Sequence, residues 1–289
     1  KDLAEMYDMH DSGAIAFSDG IQPIQSAGLL LKAMQYIRAF DGVIIQIPDD
    51  CTVGANGLMN EGMISTRLGL PGKPAVAEEL IIQRDIKLAE YAESRIHFTG
   101  VSSSASVECI RRAKISGLHV TCSVTPYHLF FTDEDLQDYD TNLKVFPPLR
   151  DKENVAALKE AVLDGTIDMI ASHHLPHETD SKILEFEYAK YGMVGLETAF
   201  GVLRAAMPAL TEQKLVQLLS YNPRKVFGLA PHSVQVGNPA KLTLFDFDST
   251  WVMSANDIKS KSKNSPFIDT KLKGKVHGII NGTKLSLHN

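Results

Sequence analysis

Ile167-Asp168-Met169-Ile170-Ala171-Ser172-His173-His174-Leu175-Pro176-His177 is the stretch from which the rest of the chain is read. A short apolar run of this kind suits a buried strand. It ends in three histidines within five residues, where a metal hydrolase built on a parallel barrel would keep its ligands. Neighbouring side chains on a strand end diverge, however, so adjacent histidines do not automatically share one ion. Two readings stay open at this point: a metal cluster, or the remnant of one.

On either side of this stretch, helical and strand-like segments alternate. Apolar residues at helical spacing mark 2–10, 27–39, 78–92, 105–115, 155–163, 196–207 and 212–219, and strand-like runs cover 14–17, 43–47, 96–100, 120–124 and 168–171. Such alternation indicates an α/β fold with a parallel sheet and helices outside it. From about His232 the character changes to short strands at 242–246, 251–253, 276–280 and 284–287 between turns. The chain is thus divided into an α/β part, 1–231, and a small all-β part, 232–289. Lys259-Ser260-Lys261-Ser262-Lys263 is a short basic run that suits a solvated loop.

Composition narrows the function. A formal net charge of −6 argues against a nucleic-acid surface, which is normally basic. No apolar run approaches the roughly 18 residues of a membrane span. Cys51, Cys109 and Cys122 are odd in number and lack CxxC spacing, which fits a reduced, cytoplasmic setting better than a disulfide framework. Lys1-Asp2-Leu3-Ala4-Glu5-Met6 reads as the middle of a helix, and a preceding segment is expected.

Several motifs resemble those of class I dihydroorotases. They are Asn60-Glu61-Gly62 with Ser65-Thr66-Arg67-Leu68-Gly69-Leu70-Pro71-Gly72, Val120-Thr121-Cys122-Ser123-Val124-Thr125-Pro126-Tyr127-His128-Leu129, Pro147-Pro148-Leu149-Arg150, and Asp164-Gly165-Thr166-Ile167-Asp168. Gly195-Leu196-Glu197-Thr198-Ala199-Phe200, Asn222-Pro223-Arg224, Gly237-Asn238-Pro239-Ala240 and Asn264-Ser265-Pro266-Phe267 follow in the family's order. The resemblance implies a TIM-type (β/α)8 barrel of the amidohydrolase superfamily with a small β-sandwich. It implies zinc chemistry on the dihydroorotate ring in pyrimidine biosynthesis, and a chain that begins just before the fourth barrel strand. Strands four to eight alone cannot close an eight-stranded barrel.

The resemblance also says where metal ligands belong. After the fourth strand the bridging carboxylate is replaced by Gly20, with Asp19 beside it. The fifth strand's histidine is Ile47, followed by Asp49 and Asp50, which suit a solvated turn. The sixth strand's is Gly100; His97, three residues earlier, is expected on the opposite face, packed against a helix. The substrate-contacting Asn before Pro147 is Phe146. The eighth strand's catalytic Asp is His173, and imidazole cannot reproduce a carboxylate's charge beside a metal. His177 matches a substrate-binding histidine, and Tyr191-Gly192 matches a pair whose backbone contacts the ring. His119 and His128 are expected to be structural. Leu129-Phe130-Phe131 is an apolar stretch for an interface or the underside of a loop.

Three expectations follow. The first is a non-catalytic family member without zinc of its own, acting as a scaffold for aspartate carbamoyltransferase and able to form a homodimer. The alternative is an active dihydroorotase or related cyclic amidohydrolase with an atypical site. The third is a pocket that binds a ring carboxylate or ureide without turning it over.

Overall fold

The computed structural model describes residues 3–287. Its chain order is α1 (Met6–Asp11), α2 (Ala27–Ile37), β1 (Val43–Gln46), β2 (Met59–Asn60), α3 (Met63–Leu68), β3 (Gly72–Lys73), α4 (Val76–Ala92), β4 (Arg95–Thr99), α5 (Ser104–Ile115), β5 (Val120–Val124), α6 (Pro126–Phe130), α7 (Lys152–Asp164), β6 (Met169–Ile170), α8 (Ala199–Ala206), α9 (Glu212–Val216), α10 (Asn222–Val226), β7 (Lys241–Val252), β8 (Lys271–Asn281) and β9 (Lys284–Leu287).

The four main strands pair in parallel in the order β1-β4-β5-β6. Phe17 adds a fifth parallel position through a single bridge to Ile44, so the strand expected over 14–17 is reduced to one paired residue. These five positions form the arc of an amidohydrolase-type (β/α) barrel. Alternation along the strands sorts the side chains. Ile96, Phe98, Val120, Cys122 and Val124 are buried with Ile82, Ile86, Val107 and Ile110 of α4 and α5. The opposite face, toward the barrel interior, carries His97, Thr99, Thr121 and Ser123, which hydrogen-bond to one another. His97 is therefore on the interior face with Thr99, where its ring meets Phe227 at the end of α10 edge-on with 5.6 Å between centres; the expected packing against a helix holds, and the face it lies on is the correction. The strand ends at Thr99, and Gly100 turns away at φ 73°, so counting in twos across that point fails.

Helix starts follow local chemistry. Ser26, Ser103, Thr125, Asp151 and Thr211 each accept a hydrogen bond from the backbone N–H three residues on. The helix expected over 2–10 starts only at Met6, and position 2 lies outside the described residues. The one expected over 212–219 gives way at Gln217 to a π-helical turn and then α10.

The tail forms an antiparallel sheet, β7-β8-β9. β7 and β8 are longer than their expected strands because irregularities in register let them bend without ending. The sheet lies on α8, where the Phe200 and Phe245 rings are 5.1 Å apart and the Arg204 guanidinium stands 3.5 Å from the Phe247 ring centre. Leu129 is fully buried, and the half-buried Phe130 and Phe131 pack on Phe267 at the edge of the core. No described helix is long and apolar enough to cross a membrane.

Candidate active site

A cavity of about 710 Å3 opens at the C-terminal ends of the strands, lined by Ile47, Phe146, His173, His177, Tyr191 and Gly192 among others. That is the end at which barrels of this type carry their sites.

The floor is formed by the chain after β4 and by His173. Thr99 Oγ1 lies 2.7 Å from His173 Nε2. Gly100 sits directly against this ring, and a Cβ there would collide with Cε1. His173 itself holds φ 41°, a left-handed conformation costly for a residue with a side chain. Burial pushes its imidazole down to about 4, opposed by the Phe146 backbone carbonyl. The ring at position 173 is thus a neutral group that fills the space beside Gly100.

Behind the floor runs a buried ionic network. Glu78 accepts from the Ser102 and Ser103 backbone N–H groups at 3.0 Å and from the Ser102 hydroxyl. Arg150 stands 3.7 Å from Glu78 and donates to Ser102 Oγ, Asn60 Oδ1 and the Lys73 carbonyl. Asn60 in turn donates to Asp133 at 2.8 Å. These bonds give the Asn60 and Pro147–Arg150 motifs their work: they tie the 60–73 segment to the strand ends.

Asp49 was expected in a solvated turn. It is 6% exposed and paired with the equally buried Lys73 at 2.9 Å. Lys73 also donates to the Asp50 and Val53 carbonyls, which draws its loop inward. Burial raises the Asp49 carboxyl despite the lysine. Asp50 holds the turn through Thr52.

The opposite wall carries His177, Tyr191 and Gly192. His177 Nε2 donates to the Tyr191 carbonyl at 2.8 Å, which leaves Nδ1 as an acceptor. The His177 N–H donates to Asn264 Oδ1, while Asn264 Nδ2 reaches the Leu175 and Gly192 carbonyls at 3.2 Å. Lys182 donates to the Lys190 and Gly192 carbonyls, and Lys144 to those of Phe186 and Glu187. Burial lowers both lysines, Lys182 to about 8. Gly192 adopts φ 126°, and Leu175 would meet any Cβ there. Its N–H donates to the Lys144 carbonyl, so the Gly192 backbone is spent inside the protein. Phe146 meets the Tyr191 ring edge-on at 6.0 Å.

The three clustered histidines diverge. His173 bonds Thr99, His174 Nδ1 accepts from the Gly195 N–H at 3.2 Å, and His177 faces Tyr191. Among the described residues no three His, Cys, Asp or Glu side chains stand together as a metal-holding group. Gly20, Ile47 and Gly100 offer no donor, and Asp19 is exposed. The donor set does not fit the family's zinc pair. His128 is structural, bonded to Thr125 and the Pro147 carbonyl. Residue types alone did not single out Thr99, Ser123, Asn264, Lys144 and Lys182. The only signals were the alternate, same-face positions of His97 with Thr99 and of Thr121 with Ser123 on their strands and the place of Asn264 in a tail motif.

A parallel barrel arc, a cavity at its C-terminal strand ends and a small antiparallel sheet are the features of an amidohydrolase-type fold. A family model described as "Amidohydrolase family" matches residues 58–285, and one described as "Dihydro-orotase-like" matches 1–106. The chain belongs to the amidohydrolase family, on its dihydroorotase-like branch. It is 42% identical over 288 residues to a dihydroorotase of Pelotomaculum thermopropionicum, covering 99% of this chain and 67% of that protein. It is 41% identical over 278 residues to one of Syntrophus aciditrophicus, covering 96% of this chain and 65% of that protein. The chain therefore spans about two thirds of these relatives' length. The L-hydantoinase (dihydropyrimidinase) of Arthrobacter aurescens superposes with a TM-score of 0.87 at 27% identity, over 98% of this chain and 67% of its own. A dihydropyrimidinase of Brevibacillus agri shares the fold, with a TM-score of 0.84 at 19% identity over 100% of this chain and 68% of its own.

Proposed function

We propose that this chain is a dihydroorotase-family protein whose cavity binds a cyclic ureide and whose own residues do not support zinc-dependent hydrolysis. The observation that carries the reading is the His173 ring, hydrogen-bonded to Thr99 and filling the space against Gly100. A ligand histidine at 100 and a carboxylate at 173 are both lost to that arrangement. The wall supports ring binding. His177 Nδ1 is an acceptor suited to a ring N–H, and Phe146 and Tyr191, set edge-on to each other, line the cavity with aromatic surface. In this reading the partner is aspartate carbamoyltransferase, for which the chain serves as a scaffold.

The second reading is an active dihydroorotase that hydrolyses dihydroorotate to N-carbamoyl-aspartate at an atypical site. The relatives at 41–42% identity, each named a dihydroorotase, favour it.

Calorimetry with dihydroorotate and with hydantoin, beside zinc analysis and a hydrolysis assay on the same full-length protein, separates the two. Ring binding with neither bound zinc nor turnover is the expected result. Stoichiometric zinc accompanied by dihydroorotate hydrolysis would overturn the first reading in favour of the second.

A further inference from the structure

Four side chains on the interior face connect the cavity to the far end of the barrel. Thr99 Oγ1 is 2.7 Å from His173 Nε2; Ser123 Oγ is 3.1 Å from Thr99 Oγ1; His97 Nε2 is 3.1 Å from Ser123 Oγ; and Thr121 Oγ1 is 2.9 Å from His97 Nδ1. The middle of this chain is dry, with Ser123 at 0% and His97 at 2% exposure. Its ends are not. His173 and Thr99 line the cavity at the C-terminal strand ends, and Thr121 lines a separate cavity of about 300 Å3 at the N-terminal ends, beside Arg95, His119, Asp168 and Asn222.

We infer that His173, Thr99, Ser123, His97 and Thr121 form a proton wire joining the two cavities, with Thr99 and Ser123 as its positioning residues. Each member has the one donor and one acceptor that a relay requires. With Ser123 donating to Thr99, Thr99 donates to His173 Nε2, so His173 carries its proton on Nδ1. In the same orientation His97 carries its proton on Nε2 and accepts from Thr121 at Nδ1. When the His173 Nδ1 proton leaves the Phe146 carbonyl for a group in the upper cavity, Nε2 takes the Thr99 hydroxyl proton. Thr99 takes that of Ser123, and Ser123 takes the one on His97 Nε2. His97 Nδ1 takes the Thr121 proton, and Thr121 takes one from water in the lower cavity. One proton enters from that water, which is left as hydroxide in the lower cavity, one leaves, and no residue ends charged. The wire then points the other way and is set to withdraw a proton from the upper cavity. Burial disfavours a lasting imidazolium at either histidine, and the wire moves a proton without forming one at equilibrium.

The inference goes beyond ring binding, and its test uses no ring ligand, so the two fail separately. In protein labelled with 15N-histidine, NMR should show His173 and His97 as single tautomers with protons on Nδ1 and Nε2 respectively. Thr99→Val keeps the β-branched shape but removes the hydroxyl. It should turn both rings into tautomer mixtures and slow exchange of the His97 ring proton with water severalfold, and Thr99→Ser should restore both. Thermal melts confirm folding, and Ser123→Ala provides the same cut if Thr99→Val does not fold. Unchanged His97 tautomer and exchange rate in a folded cut variant overturn the wire.

Discussion

On one side of the cavity, His177, Tyr191 and Gly192 are held by an amide and two ammonium groups aimed at backbone carbonyls. On the other, Gly100 and His173 rest on the buried pair of Glu78 and Arg150, which grips the backbone at Ser102 and Ser103. Neither support uses a side chain at a metal-ligand position. The frame of the site is therefore independent of the groups that would do metal chemistry. Replacing ligands by glycine or isoleucine leaves the strand ends where they were.

The comparison breaks most directly at Arg150. Arg150→Met leaves Glu78 buried beside the serine donors without its cation. Loss of one partner from such a pair costs about 3–5 kcal/mol, to be read from urea unfolding. A cost below about 1 kcal/mol would mean that the floor takes its rigidity from elsewhere.

Acid tests the same floor through its histidines. His97 and His128 are buried, and burial lowers each to about 3 from an ordinary value of 6.5. The unfolded chain therefore binds protons first as pH falls. The stability from these neutral rings is complete above pH 6.5 and declines below it toward the folded values, by about 1.4 kcal/mol per pH unit for each histidine. Asp49, Asp85 and Asp133, whose carboxyls burial raises, work in the opposite direction at the acid end, so pH 6.5 to 5 is the window to measure. Urea midpoints should fall through that window in the parent and fall less in His128→Asn. Equal slopes would remove His128 from the account.

Gly100→Ala sharpens the contrast at smaller scale. A side chain at φ 73° costs about 1–2 kcal/mol, and the collision with the His173 ring adds to it. Repeating the substitution in His173→Ala should leave only the backbone part. An equal cost in both backgrounds would show that the ring does not fill the space beside Gly100.

How much of this was legible in the sequence follows from how local each cause is. The parallel alternation and the motif order were legible, because strand and helix periods and the Pro147–Arg150 and Gly195–Phe200 runs lie within short segments. The divergence of the adjacent His173 and His174 was expected from strand geometry, although the strand ends at Ile170 and His173 itself is left-handed. The side of the sheet that His97 faces was not, because a single left-handed residue at Gly100 resets the alternation. The burial of Asp49 was not, since its partner Lys73 lies on a separate element, β3. Lys144 and Lys182 were illegible because their partners are carbonyls, which every residue carries and no side-chain pattern marks; Asn264 was marked only by its place in a tail motif.

Asn264 gives the finest test of the wall. Its carbonyl oxygen accepts the His177 N–H, and its amide serves the Leu175 and Gly192 carbonyls. Asn264→Ala strands one buried donor and weakens two acceptors, at about 1–2 kcal/mol overall. The loss should be uneven. Gly192 keeps Lys182 on its carbonyl and the Lys144 carbonyl on its N–H, whereas the described structure gives the His177 N–H no acceptor other than Asn264. Hydrogen exchange should therefore quicken at His177 and stay slow at Gly192. If both amides open together, the wall is one cooperative unit held by its lysines, and Asn264 is one contact among many. If only His177 opens, its backbone is positioned by a single amide. Ring affinity should then fall in Asn264→Ala while the Tyr191–Gly192 segment remains in place.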